Sequence, residues 1–373
     1  MKVTFVNYYY DKDISIDEYF DKYPAIHGWA KALRDLGLNV KVYHRFSQDK
    51  IFVKDDVEYI LVNDKLRSDL KWHQNPISFH NKICECKHEI IHSNSFRYAY
   101  QASLLKQKIP SAKFIIHHHA EKPGHWIKRF LIRNFSSSTD GFIFSSTELY
   151  YEWLKTKTLP AVKKFAEIME GSSDFIFRNR DEVRLKTGLT GKPIFLWVGR
   201  LNENKDPLTV LSGFIKILKD FPEAKLYMIF SEDKLKQQVL SFIGQNNILE
   251  YSVVLLGFIN HKEICDYYNS SDYFVLGSHY EGSGFSLVEA MSCGVVPIVT
   301  DIPAFRMITN KGRIGGLWKC GDDESFYTKA IETINKPIEL ELKKTFDFFS
   351  ANLSYAAISS KAKIFYKSLT DEY

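Results

Sequence analysis

Glu281 and Glu289 are separated by seven residues, and the stretch between them opens with Gly282-Ser283-Gly284 before a short apolar run. Small residues there let the backbone turn tightly ahead of a helix, so unpaired amides at the helix start can point at an anion. The helix dipole adds partial positive charge at the same end. Glu289 lies more than a turn further in, where a carboxylate suits sugar hydroxyls better than phosphate. The ligand implied is a nucleoside diphosphate joined to a sugar. A second segment, WVGRLNENKDP over 197–207, adds two cations. Gly199 opens a turn after an apolar run, and Arg200 and Lys205 follow in the loop. Arginine can hold phosphate oxygens through two parallel hydrogen bonds, and lysine acts as a point charge.

The elements that must position these residues follow from periodicity. Residues 2–6 read as a strand, followed by a polar, Tyr-rich loop, NYYYDKD. A helix from about Pro24 to Leu36 places Ile26, Trp29, Leu33 and Leu36 on one face. Further strands are expected at VKVYH, Glu58–Val62, Glu89–His92, Phe114–His117 and Gly141–Phe144. A second alternation starts near Pro193, with strands IFLWV, LYMIF, VVLLG and YFVL and a helix from about Asp206. Proline is disfavoured inside a central strand, so the next strand is expected to start at Pro297. This alternation predicts βαβ units and parallel sheets. A chain of 373 residues is long for one core, so two domains are expected, with a linker over Glu170–Thr190.

Four quoted segments carry a family resemblance. EGSGFSLVEAMSCGVVPIVTD resembles the signature of the glycosyltransferase family 4 group, retaining enzymes of GT-B architecture, with Ser283 where the family usually has Phe. The resemblance implies an α/β fold of two Rossmann-like, doubly wound domains facing across a cleft. Expected bounds are 1–175 for an acceptor-binding domain, 176–345 for a nucleotide-sugar-binding domain, and 346–373 for a helix crossing back to the first. It implies that Arg200 and Lys205 bind the diphosphate beside Gly199, that Glu289 binds the donor ribose, and that Glu281 lies near hydroxyls of the transferred sugar. The amides of Gly284, Phe285 and Ser286 would face the distal phosphate and the sugar, and Gly257-Phe258 would hold the nucleobase. In HHHAEKPG (117–124), His119 matches the family's active-site histidine and His118 competes with it. In IMEGSSDFIF (168–177) only Gly171 and Asp174 match the family's interdomain motif, which leaves a role for Glu170 open. The family's N-terminal glycine loop is absent, so acceptor contacts are not legible.

The function implied is a retaining, hexosyltransferase-type enzyme. It would move a sugar from a UDP-sugar, or less favoured a GDP-sugar, to a saccharide or lipid-linked saccharide acceptor in cell-surface polysaccharide or lipopolysaccharide assembly. A nucleotide-sugar epimerase or hydrolase of related architecture, and a catalytically silent binding module, are the alternatives. A nucleotide-linked oxidoreductase is disfavoured, since no strand is followed by G-x-G-x-x-G with an acidic residue about 20 positions on. No cofactor or metal is expected. Adjacent strand residues alternate faces, so His117, His118 and His119 cannot share one ion, and Asp11-Lys12-Asp13 lacks the context of a metal motif. The net charge of +5 is too mild for a nucleic-acid partner and compatible with loose association with an anionic membrane face. Five irregularly spaced cysteines, no apolar span of about 18 residues and no signal-peptide pattern predict a cytoplasmic protein, at most peripheral on the inner membrane face.

Overall fold

The computed structural model describes residues 1–160 and 163–371. Two compact units divide them: Met1–Gly171 with the segment from Tyr355 onward, here unit 1, and Ser172–Ser354, unit 2.

Unit 1 is built on strands β1 (Lys2–Tyr10), β2 (Asn39–Arg45), β3 (Lys50–Lys54), β4 (Val57–Val62), β5 (Ile90–Asn94), β6 (Lys113–His117), β7 (Gly141–Phe144) and β8 (Lys164–Glu167). Their order is β3-β4-β2-β1-β5-β6-β7-β8, parallel throughout except for the antiparallel β3–β4 pair at one edge. The first strand runs past the expected end at Val6 and takes in the Tyr-rich segment. Tyr8 is buried, its ring packs edge-on against Phe79, and its hydroxyl lies 3.1 Å from Nε2 of His80. Aromatic side chains suit a pleated, buried surface, and here they override the polar residues that follow. Asp11, just beyond β1, is also buried, with Lys22 paired to Oδ1 and the Tyr23 hydroxyl donating to Oδ2 at 2.6 Å. Asp13 faces solvent, so the two carboxylates of the D-x-D do not converge.

The helix Tyr355–Thr370 belongs to this unit. Its Tyr355 ring lies where a Cβ on Gly28 would sit, so the Pro24–Asp35 helix can approach only because position 28 is glycine. Tyr366 Oη lies 2.7 Å from His92 Nδ1, and Lys363 donates to the Leu36 carbonyl. Residues 346–354, grouped with this helix in the sequence-based division, lie in unit 2. There they complete the helix Ile338–Asn352, whose Phe346 stacks on Phe177. The last two residues of the expected helix, 372 and 373, lie outside the described residues.

Unit 2 has strands β9 (Ile194–Gly199), β10 (Lys225–Phe230), β11 (Val253–Gly257), β12 (Tyr273–Leu276), β13 (Val296–Thr300) and β14 (Gly316–Trp318), in the order β11-β10-β9-β12-β13-β14 and all parallel. The order reverses between β9 and β12, and such switch points open a crevice at the carboxyl ends of the strands. β13 begins at Val296, not Pro297, because the Val296 amide donates to the Asp272 carbonyl and continues the ladder. The expected linker contains a helix, Arg180–Thr187, capped by the Asn179 side chain.

Two buried histidines make unit 1 acid-sensitive. Burial drives the His80 and His92 imidazoles down to about 3, so both are neutral in the folded chain. Unfolded, each takes up a proton near pH 6.5. Between these values the unfolded state binds more protons, so stability falls as pH drops below about 6.5, by ~1.4 kcal/mol per pH unit per histidine. The urea midpoint should fall between pH 7 and pH 5, and His80→Gln should flatten that slope. Identical wild-type midpoints at the two pH values would contradict the assignment.

Candidate active site

Arg200, Lys205 and Glu281 lie on the two loops that leave the switch-point strands of unit 2. One loop follows β9 and carries Arg200 and Lys205; the other follows β12 and carries Glu281. They are bound to each other. The His279 amide donates to the Asn204 carbonyl at 2.8 Å, Asn204 Nδ2 donates to the Tyr280 carbonyl at 3.0 Å, and His279 Nε2 lies 3.1 Å from Asp206 Oδ2. A Cβ on Gly277 would stand 2.8 Å from the Asp206 carbonyl oxygen, so the close approach requires glycine.

Lys205 and Glu281 form an ion pair at the centre of this arrangement, both largely shielded from solvent. Ser278 Oγ donates to the same carboxylate oxygen at 2.7 Å. The lysine charge is therefore held in place rather than waving in solvent, and the carboxylate keeps lone pairs for further donors. Arg200 differs. Its guanidinium is more than half exposed and lies 3.5 Å from Glu232, a loose surface contact that a phosphate could displace.

Gly284 caps the helix Phe285–Ser292 in the left-handed region, at φ +59°. A Cβ there would also come within 2.8 Å of the Phe305 ring, which makes glycine doubly required. Glu289 sits on this helix with both oxygens engaged. His261 Nε2 donates to Oε1 at 2.8 Å and the Tyr268 hydroxyl donates to Oε2 at 3.0 Å. Burial and the Glu289 charge hold the Tyr268 hydroxyl well above its ordinary range, so it remains a donor. Gly257 closes β11 at φ +72° and Phe258 behind it is exposed. β11 is the sheet edge, two places from β9, so the base expected there would lie about 10 Å along from the Arg200 loop.

Ser278, His261 and Tyr268 belong to the site without standing out in the sequence. His261 and Tyr268 are seven residues apart on one helix, hence on one face, a spacing visible in the sequence. Nothing in the sequence says which carboxylate that face meets.

In unit 1, His119 follows β6. Its amide donates to Glu121 Oε2 at 2.7 Å and its Nδ1 lies 3.3 Å from Glu170 Oε2. Burial lowers its pKa, which favours the neutral ring, and its buried Nε2 has no hydrogen-bond partner among the described residues. Glu121 is pushed up by burial but held below its usual range by His118, His119 and its hydrogen bonds. His118 is packed away: its ring stacks on Phe144 at 4.8 Å and meets Trp153 edge-on. Each ring has a buried nitrogen with no hydrogen-bond partner among the described residues, Nδ1 of His118 and Nε2 of His119, but His118 is fully enclosed while His119 is partly open to solvent.

Residues 179–346 match the family model for glycosyl transferases, group 1. Within that group 1 segment lie all the unit 2 residues above. Mannosylfructose-phosphate synthase of Agrobacterium fabrum is 31% identical over 127 residues, 32% of this chain and 28% of that protein. A GDP-mannose:cellobiosyl-diphosphopolyprenol alpha-mannosyltransferase of Xanthomonas campestris is 28% identical over 153 residues, 40% of each chain. Each alignment thus spans well under half of its relative. The structure of Anabaena HepE in complex with UDP superposes with a TM-score of 0.71 at 15% identity, covering 99% of this chain and 100% of that one. The fold is GT-B: α/β, with two Rossmann-like units. Among the described residues, no helix is long and apolar enough to cross a membrane.

Proposed function

We propose that this chain is a retaining glycosyltransferase that moves a hexosyl group from a nucleoside-diphosphate sugar to a hydroxyl of a saccharide or lipid-linked saccharide. The observation that carries this is the stitched pair of loops at the switch point of unit 2, with Lys205 fixed against Glu281 beside a glycine-capped helix start. In this reading Arg200 and Lys205 take the diphosphate with the amides of Gly284, Phe285 and Ser286. As the glycosidic bond breaks, negative charge grows on the departing diphosphate, and fixed cations there lower the barrier. Glu289 takes the ribose hydroxyls, Glu281 a hydroxyl of the transferred sugar, and Gly257-Phe258 the base. We take UDP-sugars first and GDP-sugars second, in a metal-independent reaction serving cell-surface polysaccharide or lipopolysaccharide synthesis. Five free cysteines suit the reducing cytoplasm.

The test is a donor screen by thermal shift, followed by NMR of the product formed with saccharide and lipid acceptors. The expected product keeps the donor's anomeric configuration and forms equally well in EDTA. Inversion, or loss in chelator restored by manganese, would sink the proposal. Donor turnover without any acceptor would identify an epimerase or hydrolase, and binding without turnover a silent module.

A further inference from the structure

Unit 1 presents an apolar and basic face that neither its own core nor the proposed reaction uses. On the helix Trp126–Phe135, Ile132 is buried, while Trp126 is 73% and Phe130 63% exposed, with Ile127 also exposed beside them. At 100° per residue, Trp126, Phe130 and Arg133 fall on one outward face. Trp72, 58% exposed, stands across a cavity of about 820 Å³, whose walls include Leu70, Tyr100, Ile127, Leu131 and Phe135.

The helix carries charge of one sign, and the two carboxylates lining the cavity are engaged, Asp69 with Arg97 at 3.2 Å and Glu121 with His118 and His119. Lys122, Lys128, Arg129 and Arg133 fall between Glu121 and Asp140 with no carboxylate among them. The asymmetry extends to the whole unit: unit 1 has 29 Lys and Arg against 22 Asp and Glu, unit 2 has 21 against 23, so the net +5 resides in unit 1.

We infer that this face docks on an anionic lipid bilayer, with Trp126 and Phe130 entering the boundary between headgroups and acyl chains and the cations meeting lipid phosphates. An amphipathic helix with aromatics on one face and Lys and Arg around it has this preference. Long basic side chains reach the headgroup layer while their stems cover apolar surface. A second copy of the chain is a poorer occupant, because docking this face on itself would bring like charges together. Bilayer docking by this face is independent of sugar transfer and is measured without an activity assay.

The experiment is flotation of the full chain with vesicles of phosphatidylglycerol and phosphatidylcholine, compared with phosphatidylcholine alone, at 0.1 M and 0.5 M salt. Binding should be at least tenfold stronger to the anionic vesicles and should weaken at high salt. Trp126→Ser with Phe130→Ser should lower it at least tenfold without changing the melting temperature. Lys122→Gln with Arg133→Gln should lower it several-fold, and Leu185→Ser with Leu340→Ser, exposed leucines of unit 2, should leave it unchanged. Wild-type chain that stays unbound by anionic vesicles, or binding indifferent to the Trp126/Phe130 pair, overturns the inference. So does a solution dimer that the same pair of substitutions converts to monomer, since the occupant would then be a second copy.

Discussion

Arg200→Ala and Lys205→Ala should each lower sugar transfer about 10²-fold or more, the usual loss when a preorganised charge at a leaving group is removed. The structure separates the two variants by their effect on stability. The Arg200 guanidinium is exposed and makes only a loose 3.5 Å contact with Glu232 among the described residues, so its loss should leave the melting temperature where it is. Lys205 is the buried partner of Glu281, and removing it strands a shielded carboxylate, at a cost of about 3 kcal/mol. Adding Glu281→Gln to Lys205→Ala should restore much of that stability while transfer stays low. The measurements are melting temperature and turnover at subsaturating donor on the same preparations. Near-normal turnover in either single variant would remove that residue from the diphosphate site. Recovery of turnover in the double variant would reduce Lys205 to a structural counter-ion.

His119→Ala should cut transfer about 10²-fold, the scale on which misplacing a reacting group acts. The motivation is its vacant Nε2 on a ring that burial keeps neutral, with the opposite nitrogen near Glu170. A neutral imidazole held on one side can offer its other nitrogen to a sugar hydroxyl. Affinity for UDP or GDP should be unchanged, because the proposed nucleotide contacts are all in unit 2. A histidine with only a structural role would show turnover falling in step with melting temperature. Calorimetry, thermal melts and single-turnover rates together distinguish the outcomes. Unchanged turnover, or parallel loss of turnover and stability, would remove His119 from the site.

Much of the chain's architecture was legible because local patterns and final structure agree. The strands IFLWV, LYMIF, VVLLG and YFVL are apolar runs bounded by turn residues, and each became a strand of the parallel sheet in unit 2. Gly199, Gly284 and the cations between 199 and 206 could be placed in loops from spacing alone, since a strand-to-helix turn requires such residues at such positions. β3 and β14 were not legible: β3 is largely exposed and β14 spans three residues, so neither carries an apolar period to detect. The Tyr8–Tyr10 segment was misjudged because tyrosine serves both loops and strands, and only the packing of Phe79, His80 and Tyr98 around Tyr8 decided the matter.

By itself, the sequence determined which residues could do chemistry, Arg200, Lys205, Glu281, Glu289 and His119, and that each would lie beside the end of a strand or the start of a helix, except Glu289, which lies a turn inside its helix. Tertiary structure decided whom each one meets. Lys205 is paired to Glu281 across 76 positions, Glu289 is gripped by His261 and Tyr268 from a neighbouring helix, and His118 is buried among aromatic rings while His119 is partly open and lies beside Glu170. The physical reason is that secondary structure follows from short-range sterics and hydrophobic period, which are written locally. Ion pairs and orphaned polar atoms depend on the order in which strands join a sheet, and that order brings together residues that no local pattern connects.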